Sequence, residues 1–367
     1  MKTHKPDYVL IIVVGILAVF GFAMLSSVST PQAYQKFGDS YYYLKRQFFY
    51  GLLPGLAALL ILSRTDYRKW KKFALLFVIF SLGLLVAVFI PGLSFAHGGA
   101  RRWINLGGFI FQPAEIVKLT LLIYLACWVE KRGEEIKNFT YGFLPFVALF
   151  AIVELLIVLQ PNISTMLIVG FIFFIIYFIA GGKILHLLGL GFAGIVFLGI
   201  LIKMAPYRLA RFTTFLNPEI DPQGVGYHIN QALLAIGSGG LFGLGLGNSR
   251  QKHLYLPEVI GDSIFAIIAE ELGFIIVVAL IGLFFVLLLR GLKIAKGTSQ
   301  TFGKLLAYGI SFWITFQAFV NIASMIGLLP LTGLTLPFVS YGSSSLVVTF
   351  AAMGILINIS RQTEGKS

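Results

Sequence analysis

The 367-residue chain is 58% hydrophobic and only 12% charged, whereas a soluble domain averages about 25% charged residues; this composition excludes an ordinary soluble protein and marks an integral membrane protein. Its 28 Lys and Arg against 15 Asp and Glu give a formal charge of +13. In membrane proteins such an excess gathers in the loops on one side of the bilayer, so no nucleic-acid partner is needed to account for it. A lone Cys127 in an apolar run and five scattered histidines leave no disulfide, thiolate cluster or zinc spacing.

About 20 apolar residues cross a bilayer, and ten such segments are expected: 8–26, 47–63, 73–90, 114–129, 141–160, 164–181, 185–203, 263–289, 305–326 and 343–359. The first follows Met1-Lys2-Thr3-His4-Lys5. Its apolar core is longer than the roughly 7–15 residues of a signal peptide, so an uncleaved helix is expected. The fold class is therefore all-α: a polytopic bundle of about ten transmembrane helices in one membrane domain, 1–367. A large loop, 204–262, joins spans seven and eight, and a short tail, 360–367, closes the chain. With the N-terminus inside, the cytoplasmic segments hold seventeen Lys and Arg and the opposite loops ten, spread over many more residues. Both termini are expected in the cytoplasm, with 91–113 and 204–262 outside.

Several polar residues break this pattern. Arg101 and Arg102 sit on the outer side in HGGARRWINLGG, and Arg208 and Arg211 open the large loop, three apart on a helical turn. They are suited to clamping phosphate or pyrophosphate, because guanidinium forks bind such groups bidentately. Lipid headgroups, or the acids Glu219, Asp221 and Glu258, are the competing partners. Glu115 and Lys118 share one helix face just after Gln112-Pro113, as either a structural pair or a functional one. Glu154 lies in the fifth span, followed by Gln160-Pro161-Asn162.

The stretch Gly243–Gly273 joins glycine-spaced turns, a basic and aromatic strip (Arg250, Lys252, His253, Tyr255), Leu256-Pro257-Glu258, and then Gly261-Asp262 at the mouth of an apolar run. Asp262 has two readings there: the N-cap of the helix that follows, or an acid where water-side chemistry meets a membrane-bound substrate. Glu270 and Glu271 lie about two turns further on, and at least one must face the bundle interior or an aqueous cavity. A last irregular stretch, Gly327–Ser345, carries prolines, glycines and hydroxyls. Irregular backbone near membrane depth is tolerated only where protein covers it or it lines a cavity. No P-loop or dinucleotide fingerprint occurs.

Taken in order, GARRWINLGGFIFQPAEIVKL, QPNIS, RLARFTTFLNPEIDPQGVGYHINQALLAIGSGGLFGLGLGNS, KHLYLPEVIGDSIFAIIAEELG and LPLTGLTLPFVSYGSSS resemble the SEDS family, the RodA, FtsW and SpoVE proteins. The resemblance covers nearly the whole chain and is stronger to the FtsW branch. It implies a peptidoglycan polymerase of the bacterial cytoplasmic membrane. Such a polymerase transfers the growing glycan strand from undecaprenyl pyrophosphate onto lipid II outside the membrane, in cell division and septal wall synthesis. It works beside a class B penicillin-binding protein transpeptidase and other division or elongation membrane proteins. The family's essential acid is the aspartate of Thr-Asp-Phe-Ile-Phe-Ala after Leu-Pro-Glu, which places Asp262 in the catalytic position. Gly261 and Ser263 stand where the family has Thr and Phe. Asn162 replaces the Asp of Gln-Pro-Asp, and Ser343 replaces the first Gly-following Gly of Tyr-Gly-Gly-Ser-Ser.

On this reading Asp262 is the general base for the acceptor hydroxyl, and its reference pKa near 4 leaves it ionised unless burial raises it. Arg101, Arg102, Glu115, Lys118, Arg208, Arg211, Lys252, Glu258, Ser340, Tyr341, Ser343 and Ser344 are the expected substrate contacts, with the cations stabilising charge on the pyrophosphate. A divalent cation is compatible with that role, but the sequence holds no dedicated cage, and the cofactor stays unassigned. A lipid II flippase or transporter, a noncatalytic cell-wall scaffold, and an elongation role in place of division are the alternatives. The clustering of polar residues on one side favours the enzyme.

Overall fold

The computed structural model describes residues 4–97, 100–217, 221 and 223–362; Glu219 lies outside them. Asp7 accepts the Leu10 N–H at 3.0 Å and caps α1 (Tyr8–Phe37), which Gly38 closes in a left-handed turn at φ 68°. Helix α2 (Tyr42–Gln47) continues through a π-helical turn, Phe48–Leu52, into α3 (Leu53–Arg64), where the proline falls harmlessly in the first turn. A 3-10 stretch, Tyr67–Phe73, leads into α4 (Ala74–Ala87). Three short strands follow: β1 (Ser94–His97), β2 (Ala100–Leu106) and β3 (Phe109–Phe111). Then come α5 (Pro113–Arg132), α6 (Leu144–Leu159), α7 (Ile163–Ile179) and α8 (Ile184–Lys203). Next are α9 (Pro206–Leu216) and α10 (Val225–Gly239), followed by α11 (Ile264–Gly297), α12 (Thr301–Met325) and α13 (Ser343–Arg361).

Among the described residues eight helical segments are long and apolar enough to cross a membrane. Helix α7 is shorter, and α5 is less apolar because it carries Glu115, Lys118 and Glu130–Arg132; together these complete a ten-span bundle. Helices α12 and α13 are buried on nearly every side, while α8 leaves Leu185, Phe192 and Ile195 exposed at the periphery, where lipid tails are their natural solvent.

The antiparallel β1–β2–β3 sheet is an addition to the expected all-helical architecture. Gly107 and Gly108, both with positive φ (59° and 96°), form the two-residue hairpin turn that lets Leu106 pair with Phe109. Between β1 and β2 the register slips: Phe95 faces Trp103 but Ala96 faces Arg101, which leaves Arg102 as an extra residue on β2. Such a bulge turns a side chain out of the regular alternation.

The 204–262 loop holds two helices and a re-entrant turn. After α10 the chain drops alongside α11, whose backbone opens at Gly273 (φ 77°, ψ −179°). The turn supplies the partners that the break would otherwise strand in an apolar setting. The Leu244 and Gly245 N–H groups donate to Glu270 and Glu271 carbonyls at 2.9 Å, and the Phe274 N–H donates to the Gly240 carbonyl at 2.9 Å. A Cβ on Gly273 would come within 2.3 Å of the Gly243 nitrogen, so the close approach demands glycine. The first and last described segments share one end of the bundle, where the His4 N–H donates to the Arg361 carbonyl at 2.8 Å, Asp7 pairs with Arg290, and the Asp7 N–H donates to Ser360 Oγ. Ile264, at the start of α11, lies toward the opposite end, beyond the break at Gly273.

Candidate active site

Helix α11 does not start on Asp262. Its first residue is Ile264, and Ser263 holds the cap position, its carbonyl accepting the Ala266 N–H at 3.0 Å. The cap reading of Asp262 is thereby corrected. The preceding turn winds tightly, with the Gly261 and Ser263 N–H groups both donating to the Glu258 carbonyl at 2.9 and 3.3 Å. This sets Asp262 two residues before the first residue of the helix and one before its cap. Its carbonyl accepts Asn321 Nδ2 from α12 at 2.8 Å, which fixes the backbone. The residue is 8% exposed, and Oδ1 has no hydrogen-bond partner among the described residues. A firmly held backbone thus carries a buried carboxylate oxygen without a partner.

Its electrostatics follow from that setting. Burial, reinforced by the nearby Glu258 carboxylate, lifts Asp262 from 3.8 to about 7, while Arg211 and the backbone N–H groups of Asp262 and Ser263 pull the other way. An aspartate in this range is half ionised near neutral pH and a far better proton acceptor than a free carboxylate. His228 on α10 stands beside it, with Nε2 2.6 Å from Ser263 Oγ. Burial, then the Arg211 charge, lowers that imidazole to about 4, so it is neutral.

The irregular stretch between α12 and α13 covers the other side. Ser340 Oγ donates to the Gly261 carbonyl at 2.7 Å and accepts the Leu336 N–H at 2.8 Å, while the Tyr341 N–H donates to the Ile260 carbonyl at 2.8 Å. Tyr341 packs edge-on against Tyr43 at 5.1 Å, and burial raises its phenol. Gln47, which sequence reasoning missed, ties this stretch down: its Nε2 donates to the Ser340 carbonyl, and its Oε1 accepts from Gly342 N–H and Ser343 Oγ. Ser344 Oγ accepts the Gln112 N–H at 3.1 Å, joining α13 to the start of α5. These serines build the wall of the site.

Ser164 at the start of α7 donates to the Thr332 carbonyl beside Gly333, which faces Asp262 Oδ2. Arg102, turned out by its bulge, donates to the Gln160 and Pro161 carbonyls in the turn just before α7. The departure Asn162 sits in the same turn and caps α7 through the Thr165 N–H at 3.2 Å, a task Asn performs as well as Asp. Arg101 is exposed on β2. On α9, Arg211 is exposed and acts electrostatically on both Asp262 and His228, while Arg208 donates to the Leu201 carbonyl at 3.1 Å. Between α9 and the 329–331 segment a cavity of about 20 Å³, lined by Arg211, Thr214, Phe215, Ile229, Leu329 and Leu331, has room for little more than a water.

Two expected contacts lie deeper. Lys118 is 1% exposed, paired with Glu115 at 2.8 Å and donating to Gln317 Oε1 at 3.0 Å. Gln317 Nε2 in turn holds the Thr335 carbonyl at 3.0 Å, so the pair supports the covering stretch from below. Lys252 donates to Glu271 and the Gly247 carbonyl at 2.7 Å and to Ser27 Oγ on α1 at 3.2 Å, which uses all three of its donors inside the protein. Glu270 accepts from Ser249 Oγ and from the Arg250 and Gln251 N–H groups, so both adjacent acids face the re-entrant turn. Glu154 is buried on α6, and neither of its oxygens has a hydrogen-bond partner among the described residues. Among the described residues no three His, Cys, Asp or Glu side chains converge as metal ligands.

Comparison with known proteins places this geometry. A family model described as cell cycle protein, covering FtsW, RodA and SpoVE, matches residues 7–365. A probable peptidoglycan glycosyltransferase FtsW of Geobacter sulfurreducens is 41% identical over 364 residues, 99% of this chain and 97% of that protein. Stage V sporulation protein E of Bacillus subtilis is 41% identical over 361 residues, 98% of each. Among solved structures, a chain of a peptidoglycan synthase complex that coordinates polymerization and crosslinking superposes with a TM-score of 0.81 at 30% identity, covering 98% of both chains. The rod shape determining protein RodA of Thermus thermophilus superposes at 0.72 and 30% identity, again over 98% of both. The match runs through every element that frames Asp262, and the chain belongs to the FtsW/RodA/SpoVE family.

Proposed function

We propose that the chain polymerises peptidoglycan glycan strands at the end of the bundle that carries Asp262, in cell division. The acceptor is lipid II, and the donor is the growing strand on undecaprenyl pyrophosphate. The acceptor's 4-hydroxyl oxygen forms the new bond to the anomeric carbon of the strand's terminal sugar as the bond from that carbon to pyrophosphate breaks. The hydroxyl proton goes to Asp262, and the electron pair leaves with undecaprenyl pyrophosphate. Arg211, with Arg208 on the same helix and Arg101 and Arg102 across the site, is placed to offset charge growing on that leaving group. The polyprenyl tail fits the apolar exterior between helices.

The observation that carries the reading is the Asp262 carboxylate, buried, without a partner at Oδ1, and pushed to about 7. A general base is expected to be held near neutrality in this way. The family names on relatives, peptidoglycan glycosyltransferase FtsW among them, agree with it. The deciding experiment incubates the purified protein with labelled lipid II, alone and with a class B penicillin-binding protein. Glycan polymer from wild type and none from Asp262→Asn supports the assignment. Lipid II translocation without polymer would replace it with the flippase reading.

The charge asymmetry of the loops further supports a cytoplasmic membrane location with both termini inside and Asp262 outside. A cysteine placed at position 223 is expected to react with an impermeant reagent on intact cells or spheroplasts, and protection there would reverse the orientation.

A further inference from the structure

We propose that His228 is a positioning residue for Asp262, acting through a hydrogen-bond relay from α10 to Ser263 and on to the Pro257 carbonyl. The inference rests on the assignment of Asp262 as the base. Ser263 Oγ is 2.8 Å from the Pro257 carbonyl oxygen, which can only accept, so the single hydroxyl proton is directed there. The 2.6 Å contact to His228 must then be donated by Nε2–H to Ser263 Oγ. With the imidazole neutral, the proton resides on Nε2 and Nδ1 is left as an acceptor. The orientation of the whole relay is thus fixed by elementary donor counting.

Its location gives it a consequence. Ser263 is fully buried and directly follows Asp262, and Pro257 directly precedes Glu258, the acid that raises Asp262. The relay therefore closes the 257–263 turn from both ends and anchors it to α10. Asn321 and Ser340 fix the same turn at the Asp262 and Gly261 carbonyls. Three neighbouring elements thus hold the backbone while the carboxylate stays without a partner at Oδ1. Releasing one of them lets the turn shift, and a displacement of about 1 Å in a reacting group lowers rates by about a hundredfold. The groups facing Asp262 across the relay are Glu258 and Arg211, and loss of the tie lets the carboxylate turn from the buried position toward water.

The test compares His228→Phe, His228→Gln, Ser263→Ala and the Phe/Ala double variant in a lipid II polymerisation assay, with wild type and Asp262→Asn as references. His228→Phe and Ser263→Ala are each expected to lower kcat at least tenfold with KM within about threefold. The double variant should be no slower than the worse single, because Ser263→Ala already removes the contact that His228→Phe removes. Glutamine places a donor near the Nε2 position, so His228→Gln should recover most of the rate. In the slow variants the acid limb of the pH–rate profile should move below 7 while unfolding in detergent stays close to that of wild type; a general loosening of the fold would lower both. Additive losses, a His228→Phe rate within twofold of wild type, an unmoved pH limb, or His228→Gln as slow as His228→Phe would each overturn the proposal. Activity retained by Asp262→Asn would instead remove the assignment on which it rests.

Discussion

Replacing Asp262 by Asn separates chemistry from stability, and the structure sets the size of both effects. The side chain keeps its shape but can no longer take a proton, so polymer synthesis should fall to background. Stability should move in the opposite direction. A carboxyl raised from 3.8 to about 7 by folding binds its proton more tightly in the folded state. Its contribution to stability is complete below 3.8 and is lost as pH rises toward 7. Relative to the fully protonated protein, stability is then lower by about 4 kcal/mol at pH 8 and by about 1.7 kcal/mol at pH 5, at about 1.36 kcal/mol per pH unit. Asn carries no such penalty. Burying its amide has a cost of its own, but that cost does not change with pH. The stability advantage of Asp262→Asn over wild type should therefore grow by about 2.5 kcal/mol between pH 5 and pH 8. Unfolding of both proteins in the same detergent, followed across that range, measures it. A difference that stays flat with pH would refute the argument that Asp262 is held near neutrality by burial, whatever the activity shows.

The wild-type polymerisation rate should rise with pH through a midpoint near 7 as Asp262 ionises; a midpoint near 4, read from kcat/KM, would mean a carboxylate in water. Lys118→Met leaves Glu115 without its 2.8 Å partner in the interior, so a loss of roughly 3–5 kcal/mol is expected from denaturation in detergent. Lys252→Met strands Glu271 in the same way; combining it with Glu271→Gln should restore part of the lost stability, since the buried charge is then gone. Asn162→Ala removes the cap of α7 and should lower stability by about 1 kcal/mol in the same measurement.

Much of the bundle is legible in the chain because membrane spans are long and every apolar run votes for the same answer. Even α5 is recognised despite Glu115 and Lys118, since Gln112-Pro113 announces its start and the rest of the run is apolar. The ends are less visible. Helix α1 reaches Phe37 and α11 reaches Gly297, beyond their expected limits at 26 and 289, because Ala33, Lys293 and Ala295 continue a helix as well as apolar residues do. The small sheet was open to discovery: Gly107-Gly108 between two short apolar runs is a two-residue hairpin signal. The bulge at Arg102 leaves no such mark, since it depends on how β1 pairs with β2.

For the site, the sequence offers chemical types and the fold decides their employment. Asp262 stands out as an acid before an apolar helix, but only the tight turn from Glu258 reveals that Ser263 takes the cap position and leaves the acid free. Lys252 and Lys118 look alike in the chain as cations among apolar residues. Both prove to be ion-paired inside the protein, with Lys252 closing the re-entrant turn against Glu271 and Lys118 supporting the 335 segment through Gln317. His228 could not be singled out: it meets Ser263 across 35 positions of chain, and no local spacing marks such a contact. The same separation gives these ties their effect. Pro257, Ser263, Asn321 and Ser340 come from segments that meet only when the bundle and its covering loops have closed. The geometry of the base is therefore a property of the completed fold, and the loops can change it without altering Asp262 itself.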